Sequence, residues 1–215
     1  MLVVIDPGHG GSDPGAIGST GLKESDVNLA ISLLVRGKLT VRGIRCFMTR
    51  ERDEDVSLEQ RVAKANAAKA DLFVSIHSNH DGPTANGTEV YYYPGSVKGK
   101  RLADCIYREL LRKIGLRGRG VKPASYYVIR ETRMPACLVE VAFISNPEEE
   151  KLLRDDAFRE RAAEGIALGI LAYIGQTNQT KPKQVVNVLS SVLLFVTGTT
   201  LILLGKWYIP KLIEA

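Results

Sequence analysis

The chain has 215 residues, of which 45% are hydrophobic and 25% charged, a composition that excludes global disorder and allows one ordinary domain plus an appendage. Its three cysteines, Cys46, Cys105 and Cys137, exclude a disulfide scaffold and a four-cysteine zinc site. The formal net charge is +5, and the residues from 179 onward carry +3 of it. Because the remaining 178 residues carry only +2, we expect no nucleic acid partner.

The first residues predict a buried strand. Leu2–Ile5 is an apolar run that ends at a turn formed by Asp6, Pro7 and Gly8. A secretory signal needs a basic segment and a longer apolar run before its cleavage site. We therefore expect no N-terminal signal peptide and a fold that begins at residue 2.

Strands and helices alternate through the body of the chain. A Gly-rich loop over 6–21 follows the first strand. The patterns then predict further strands over 43–48, 71–76, 88–93, 126–129 and 137–141. They predict helices over 24–40, 58–70 and 98–114, and one or two helices over 148–174. Ser57 with Gln60 predicts the N-cap of the second helix. This alternation predicts an α/β fold with a largely parallel, twisted sheet flanked by helices.

The composition changes after the last predicted helix. We assign 1–175 as the main folded domain, 176–184 as a polar linker and 185–215 as a hydrophobic tail. Residues 185–205 are 21 positions without a charge, which as a helix would span about 31 Å, close to the thickness of a bilayer core. Lys206, Trp207 and Tyr208 follow and suit a membrane interface. A transmembrane helix is the favoured interpretation, with a buried core helix as the alternative.

Four polar residues are expected at one edge of the sheet. His9 follows the first strand, Glu24 begins the first long helix, His77 follows the third strand, and Glu140 lies near the end of the strand over 137–141. In a parallel α/β sheet, ligands bind beyond the carboxyl ends of the strands. Two imidazoles and one carboxylate form a known zinc ligand set with an open position, and a further carboxylate can act as general base and acid.

Each of these residues also has an ordinary structural interpretation. His9 suits a turn, Glu24 suits the first turn of a helix, and His77 suits a satisfied buried histidine. Glu140 is the most informative, because an acid inside the apolar run Leu138–Phe143 is costly unless it is paired or ligating. The spacing matches no local zinc motif, so the argument depends on topology and on the co-occurrence of the four residues.

Several motifs, in chain order, resemble the Amidase_3 family of zinc-dependent N-acetylmuramoyl-L-alanine amidases. They are Val3–Ala16 (VVIDPGHGGSDPGA), Thr49-Arg50 with Asp53, Ser75–Asn79 (SIHSN), Gly87–Tyr92 (GTEVYY), Gly120–Lys122 (GVK) and Pro135–Asn146 (PACLVEVAFISN). The resemblance extends over about residues 2 to 174. It implies Zn²⁺ held by His9, Glu24 and His77, Glu140 as the catalytic glutamate, and Asn79 as a substrate-binding residue.

The resemblance implies a peptidoglycan hydrolase that cuts the amide between N-acetylmuramic acid and the L-alanine of the stem peptide. Another zinc-dependent wall peptidase and a non-catalytic wall-binding module are the alternatives. The expected partner is peptidoglycan, with the membrane as a second partner through residues 185–205. The protein is expected to act on the cell wall, either attached to the membrane or released by host lysis as a phage endolysin, with cellular wall remodelling as the other setting.

Overall fold

The structure, a computed structural model, describes residues 1–179. The helices are α1 (Glu24–Thr40), α2 (Leu58–Ala67), α3 (Val97–Ile114), α4 (Tyr127–Arg130), α5 (Pro147–Arg154) and α6 (Asp156–Gln179). The strands are β1 (Leu2–Pro7), β2 (Arg45–Met48), β3 (Leu72–Asn79), β4 (Thr88–Tyr92), β5 (Gly118–Pro123) and β6 (Ala136–Phe143).

The six strands form one sheet in the order β2-β1-β3-β6-β4-β5. Strands β2, β1, β3 and β6 are mutually parallel, whereas β4 is antiparallel to β6 and parallel to β5. The prediction of an α/β fold with a largely parallel sheet is therefore confirmed. The reversed direction of the β4–β5 pair at one edge was not predicted.

Alternating residues of the strands face two separate apolar clusters. Val3 and Ile5 of β1 pack in the larger cluster with residues of α1, α3 and α6. Val4, between them, packs in the smaller cluster with Val62 of α2 and Val128 of α4. This period of two is the pattern expected of strands covered on both faces.

One predicted strand is wrong, and one strand was missed. Residues 126–129, predicted as a strand, form the helical turn α4, in which the Arg130 amide donates to the Tyr126 carbonyl at 3.0 Å. A four-residue apolar run is too short for its periodicity to distinguish strand from helix. Strand β5 was missed because Gly118, Gly120 and Pro123 lower its strand propensity, which an edge strand tolerates.

Helix α6 extends beyond the predicted end of the main folded domain. It continues to Gln179, so residues 176–179 of the predicted linker are helical. Within residues 1–179, no helix is both long enough and apolar enough to cross a bilayer. The rest of the linker and the hydrophobic tail over 185–215 lie outside the described residues.

Candidate metal centre

His9, Glu24 and His77 meet at the carboxyl edge of the sheet. One potential ligand atom from each lies within 4.8 Å of the other two. Glu24 stands between the imidazoles: its Oε1 is 3.0 Å from His77 Nδ1, and its Oε2 is 3.3 Å from His9 Nε2. The sequence-based prediction that these three residues would lie together therefore agrees with the geometry.

Asp13 orients the His9 ring. Its Oδ2 is 2.7 Å from His9 Nδ1, which leaves Nε2 directed toward Glu24. A carboxylate on the outer nitrogen of a histidine is the usual second partner of a metal-binding imidazole, because it sets both the tautomer and the ring orientation. Sequence reasoning gave Asp13 no role, although its position four residues after His9 in the same loop was an available signal.

Two glycines of the first loop make room for the cluster. A Cβ atom on Gly8 would lie 2.2 Å from His77 Cε1, and one on Gly15 would lie 2.7 Å from Glu24 Oε2. Any larger residue at Gly8 would collide with the imidazole ring. The Gly-rich composition of the loop thus serves the close approach of backbone to the three side chains.

Two buried arginines hold this loop in place. Arg50 donates to the carbonyl oxygens of Gly8 at 2.9 Å and of Ser25 at 2.8 Å, which joins the loop to the first turn of α1. Arg61 pairs with Asp6 at 2.8 Å and donates to the His9 carbonyl at 2.8 Å. These bonds set the position of His9 relative to Glu24, and nothing local in the sequence around the arginines indicated them.

Glu140 lies on β6 directly opposite His77 on β3. Its Oε2 atom is buried and has no hydrogen-bond partner. Burial raises the pKa of the Glu140 carboxyl to about 7, helped by the nearby Glu24 and Glu89 and opposed by His77. An unpartnered buried carboxylate is costly, so its presence beside the cluster points to a chemical role.

The electrostatic environment of the cluster favours positive charge. Burial lowers the pKa of His9, but the neighbouring carboxylates of Glu24 and Asp13 outweigh it and raise that pKa to about 9. Burial raises the pKa of Glu24, yet its hydrogen bonds to His77 and His9 hold that pKa far below the usual range. Two nitrogens and one oxygen in such a field fit a Zn²⁺ ion, which in catalytic sites takes three protein ligands and keeps one position open.

A cavity of about 610 Å³ opens beside His9, His77 and Glu140. The cavity is also lined by apolar and aromatic residues, namely Val56, Leu58, Tyr126, Tyr127, Val128 and Leu138. Leu58 belongs to α2, and Tyr127 and Val128 belong to α4, so the helical turn that the sequence did not predict contributes to the cavity. The volume is sufficient for a small organic group beside the cluster.

Asn79 lies apart from this cavity. It ends β3, and its Nδ2 atom donates to Glu89 Oε2 at 3.2 Å, while its Oδ1 atom accepts from the His80 amide at 2.9 Å. The residues that line the cavity do not include it. The structure therefore brings together His9, Glu24, His77 and Glu140 and connects Asn79 to them through Glu89, which lies opposite Glu140 on β4.

The fold and this site define an α/β protein with a candidate mononuclear metal centre beside a carboxylate that has a raised pKa and an unpartnered oxygen. The chain belongs to the Amidase_3 family, described as N-acetylmuramoyl-L-alanine amidase, whose model matches residues 3–172.

Similar proteins come from bacteria and from a phage. Over 174 residues the chain is 44% identical to N-acetylmuramoyl-L-alanine amidase LytC of Bacillus subtilis, a match that covers 80% of this chain and 35% of LytC. It is 44% identical over 177 residues to an endolysin of Bacillus phage SPP1, covering 79% of this chain and 64% of the endolysin. The chain thus spans about a third of the length of LytC.

A solved structure shares the fold. The catalytic domain of CwlV, an N-acetylmuramoyl-L-alanine amidase from Bacillus (Paenibacillus) polymyxa var. colistinus, matches with a TM-score of 0.78 and 42% identity. The match covers 81% of this chain and 98% of the CwlV domain. The part of the chain that forms the sheet and the site therefore corresponds to a complete catalytic domain of a relative.

Proposed function

We propose that the protein is a zinc-dependent hydrolase of peptidoglycan that cleaves the amide between N-acetylmuramic acid and the L-alanine of the stem peptide. The observation that carries this proposal is the unpartnered Oε2 of Glu140 beside the cluster of His9, Glu24 and His77. Family membership and the similarity to amidases of known name supply the reaction and the substrate.

The chain's own residues have distinct tasks in this reaction. His9, Glu24 and His77 would hold a zinc ion, and Asp13 orients the His9 ring for that purpose. A bound zinc ion would supply Lewis acidity, which activates a water molecule and polarises the amide carbonyl. Glu140 accepts the proton of the attacking water and delivers it to the nitrogen of the departing L-alanine. A pKa near 7 suits a group that must both take up and release a proton at neutral pH.

Digestion of purified peptidoglycan tests the reaction. We expect mass spectrometry to find free stem peptides with an L-alanine N-terminus, because only cleavage of the lactyl amide creates that end. A chelator should abolish their release and added zinc should restore it. Cleavage inside the peptide would instead indicate a wall peptidase, and wall binding without any release would indicate a non-catalytic module.

We also propose, from the sequence of residues 185–205, that the protein attaches to a membrane. The stretch is uncharged and long enough to cross a bilayer, and it lies outside the described residues. The full chain should sediment with liposomes, whereas a chain ending at Lys181 should stay in the supernatant. Equal partitioning of the two forms would contradict this proposal. Membrane attachment is separate from catalysis, so either proposal stands without the other.

A further inference from the structure

Polar and ionisable side chains extend across the sheet from the proposed metal centre. His77 lies opposite Glu140, and Glu140 lies opposite Glu89, so the three side chains share one face of three adjacent strands. The next strand, β5, contributes Arg119 and Lys122, and Lys122 pairs in register with Tyr91 on β4. A row of functional groups therefore leads from the centre toward a pair of cations.

Glu89 organises the far end of this row. It is 3% exposed, and its carboxylate accepts hydrogen bonds from four side chains: Arg119, Lys122, Tyr91 and Asn79. Burial raises the pKa of Glu89, but the hydrogen bonds from Arg119, Lys122 and Tyr91 outweigh burial and hold that pKa at about 2. The carboxylate is thus ionised, and it offsets one of the two positive charges of Arg119 and Lys122.

The two cations differ in their freedom to bind a ligand. Arg119 donates to the Asn86 carbonyl at 3.4 Å and stacks on the Phe143 ring at 4.9 Å, in addition to its bond with Glu89. Lys122 is 40% exposed, and within the described residues its one ion-pair partner is Glu89, at 2.7 Å. An ammonium group has three donors, so two remain available at a position that Glu89 holds in place.

We propose that Lys122 binds the free carboxylate of the γ-linked glutamyl residue of the stem peptide, on the leaving-group side of the scissile amide, and so favours substrates that carry this carboxylate. This inference rests on the proposed function. The single carboxyl group of N-acetylmuramic acid is consumed in the scissile amide, so a carboxylate near Lys122 must come from the peptide. Strand β5 lies two strand spacings, about 10 Å, from β6, a distance that about three extended residues span.

Product inhibition tests this assignment on the full-length protein. Two peptides differ in one group: L-alanyl-γ-D-glutamyl-L-lysine amide has a free carboxylate, and L-alanyl-D-isoglutaminyl-L-lysine amide has a carboxamide there. Each is added to a peptidoglycan digestion, and its inhibition constant is measured. We expect the carboxylate peptide to inhibit with an inhibition constant about tenfold lower, as one charge-assisted hydrogen bond to an ammonium group allows.

Variants assign the preference to Lys122. Lys122→Met should bring the ratio of the two constants to about one, and Lys122→Arg should largely preserve it. Lys100→Met is the matched control, because Lys100 is an exposed lysine on α3 that pairs with Asp104 at 2.8 Å, and its ratio should equal that of the unaltered protein. Each ratio is measured within one preparation, so a change in the folded fraction cancels.

Failure of this inference is distinguishable from failure of the proposed function. If the unaltered protein releases no stem peptides from peptidoglycan, the proposed function fails. If it releases them, then equal inhibition by the two peptides, no inhibition by either, or an unchanged ratio in Lys122→Met overturns the role of Lys122 alone.

Discussion

Glu140→Gln is expected to lower the kcat of stem-peptide release by about 10²- to 10⁴-fold, the range typical for loss of a general acid–base group. The amide has nearly the shape of the carboxylate but cannot accept the proton of the attacking water. The free energy of unfolding should not fall, because the native Oε2 atom is buried without a partner. Initial rates and urea unfolding on one preparation measure both quantities.

Glu148→Gln provides the matched control for this variant. Glu148 lies in the first turn of α5, where its side chain is 80% exposed and pairs with Lys151 at 2.8 Å. Its replacement should leave kcat unchanged. Zinc content should also be unchanged in Glu140→Gln, since Glu140 is outside the ligand cluster. Normal activity in a zinc-loaded Glu140→Gln variant would show that another group transfers the proton.

Glu24→Gln is expected to abolish stabilisation of the protein by zinc. Glu24 is the anionic member of the cluster and bridges both imidazoles, so its neutral amide leaves two nitrogens and no charge for the ion. At free zinc 100 times its dissociation constant, the unaltered protein should gain about 2.7 kcal/mol of unfolding free energy. The measurement is urea unfolding with and without zinc. The unfolding free energy of each variant is compared with and without zinc, so the loss of the other bonds that Glu24 makes does not affect the difference.

Asp13→Asn should give an intermediate result in the same experiment. Asp13 contacts the outer nitrogen of His9, and replacing such a partner typically weakens metal binding by about 10- to 100-fold. The stabilisation by zinc should then fall to between about 1.4 and 0.4 kcal/mol. Undiminished stabilisation of Glu24→Gln by zinc would contradict the ligand assignment, and undiminished stabilisation of Asp13→Asn would contradict only its orienting role.

The sequence was sufficient to predict the proposed metal centre because each of its residues is marked locally. His77 directly follows an apolar run that predicts a strand, His9 lies in the turn after another such run, and Glu24 begins a periodic helix. The carboxyl ends of parallel strands meet at one edge, so three separate local signals converge once an α/β fold is inferred. Glu140 stood out because it is an acid within an apolar strand. Burial of a carboxylate there is costly unless it is paired or has a chemical role.

The contact of Arg119 and Lys122 with the carboxylate of Glu89 was not predictable in this way. Glu89 could be placed beside Glu140 only after β4 was known to lie next to β6 and to run antiparallel to it, and local sequence patterns do not state the neighbours or the direction of a strand. Strand β5, which carries Arg119 and Lys122, was itself missed. The direction of β4 depends on the whole sheet, because it is set by where the connections cross and which faces become buried.

Local sequence patterns predicted five of the six strands, the longer helices, the glycine-rich first loop, and the four residues proposed for metal binding and proton transfer. Periodicity, capping and glycine placement depend on residues that are close in the chain, so they can be recognised before the fold is known. Only the tertiary structure reveals the direction of β4, the helical turn α4 and the hydrogen bonds by which Arg50 and Arg61 fix the first loop. These features depend on contacts between residues distant in the chain, whose energies exist only once the sheet and its covering helices are assembled.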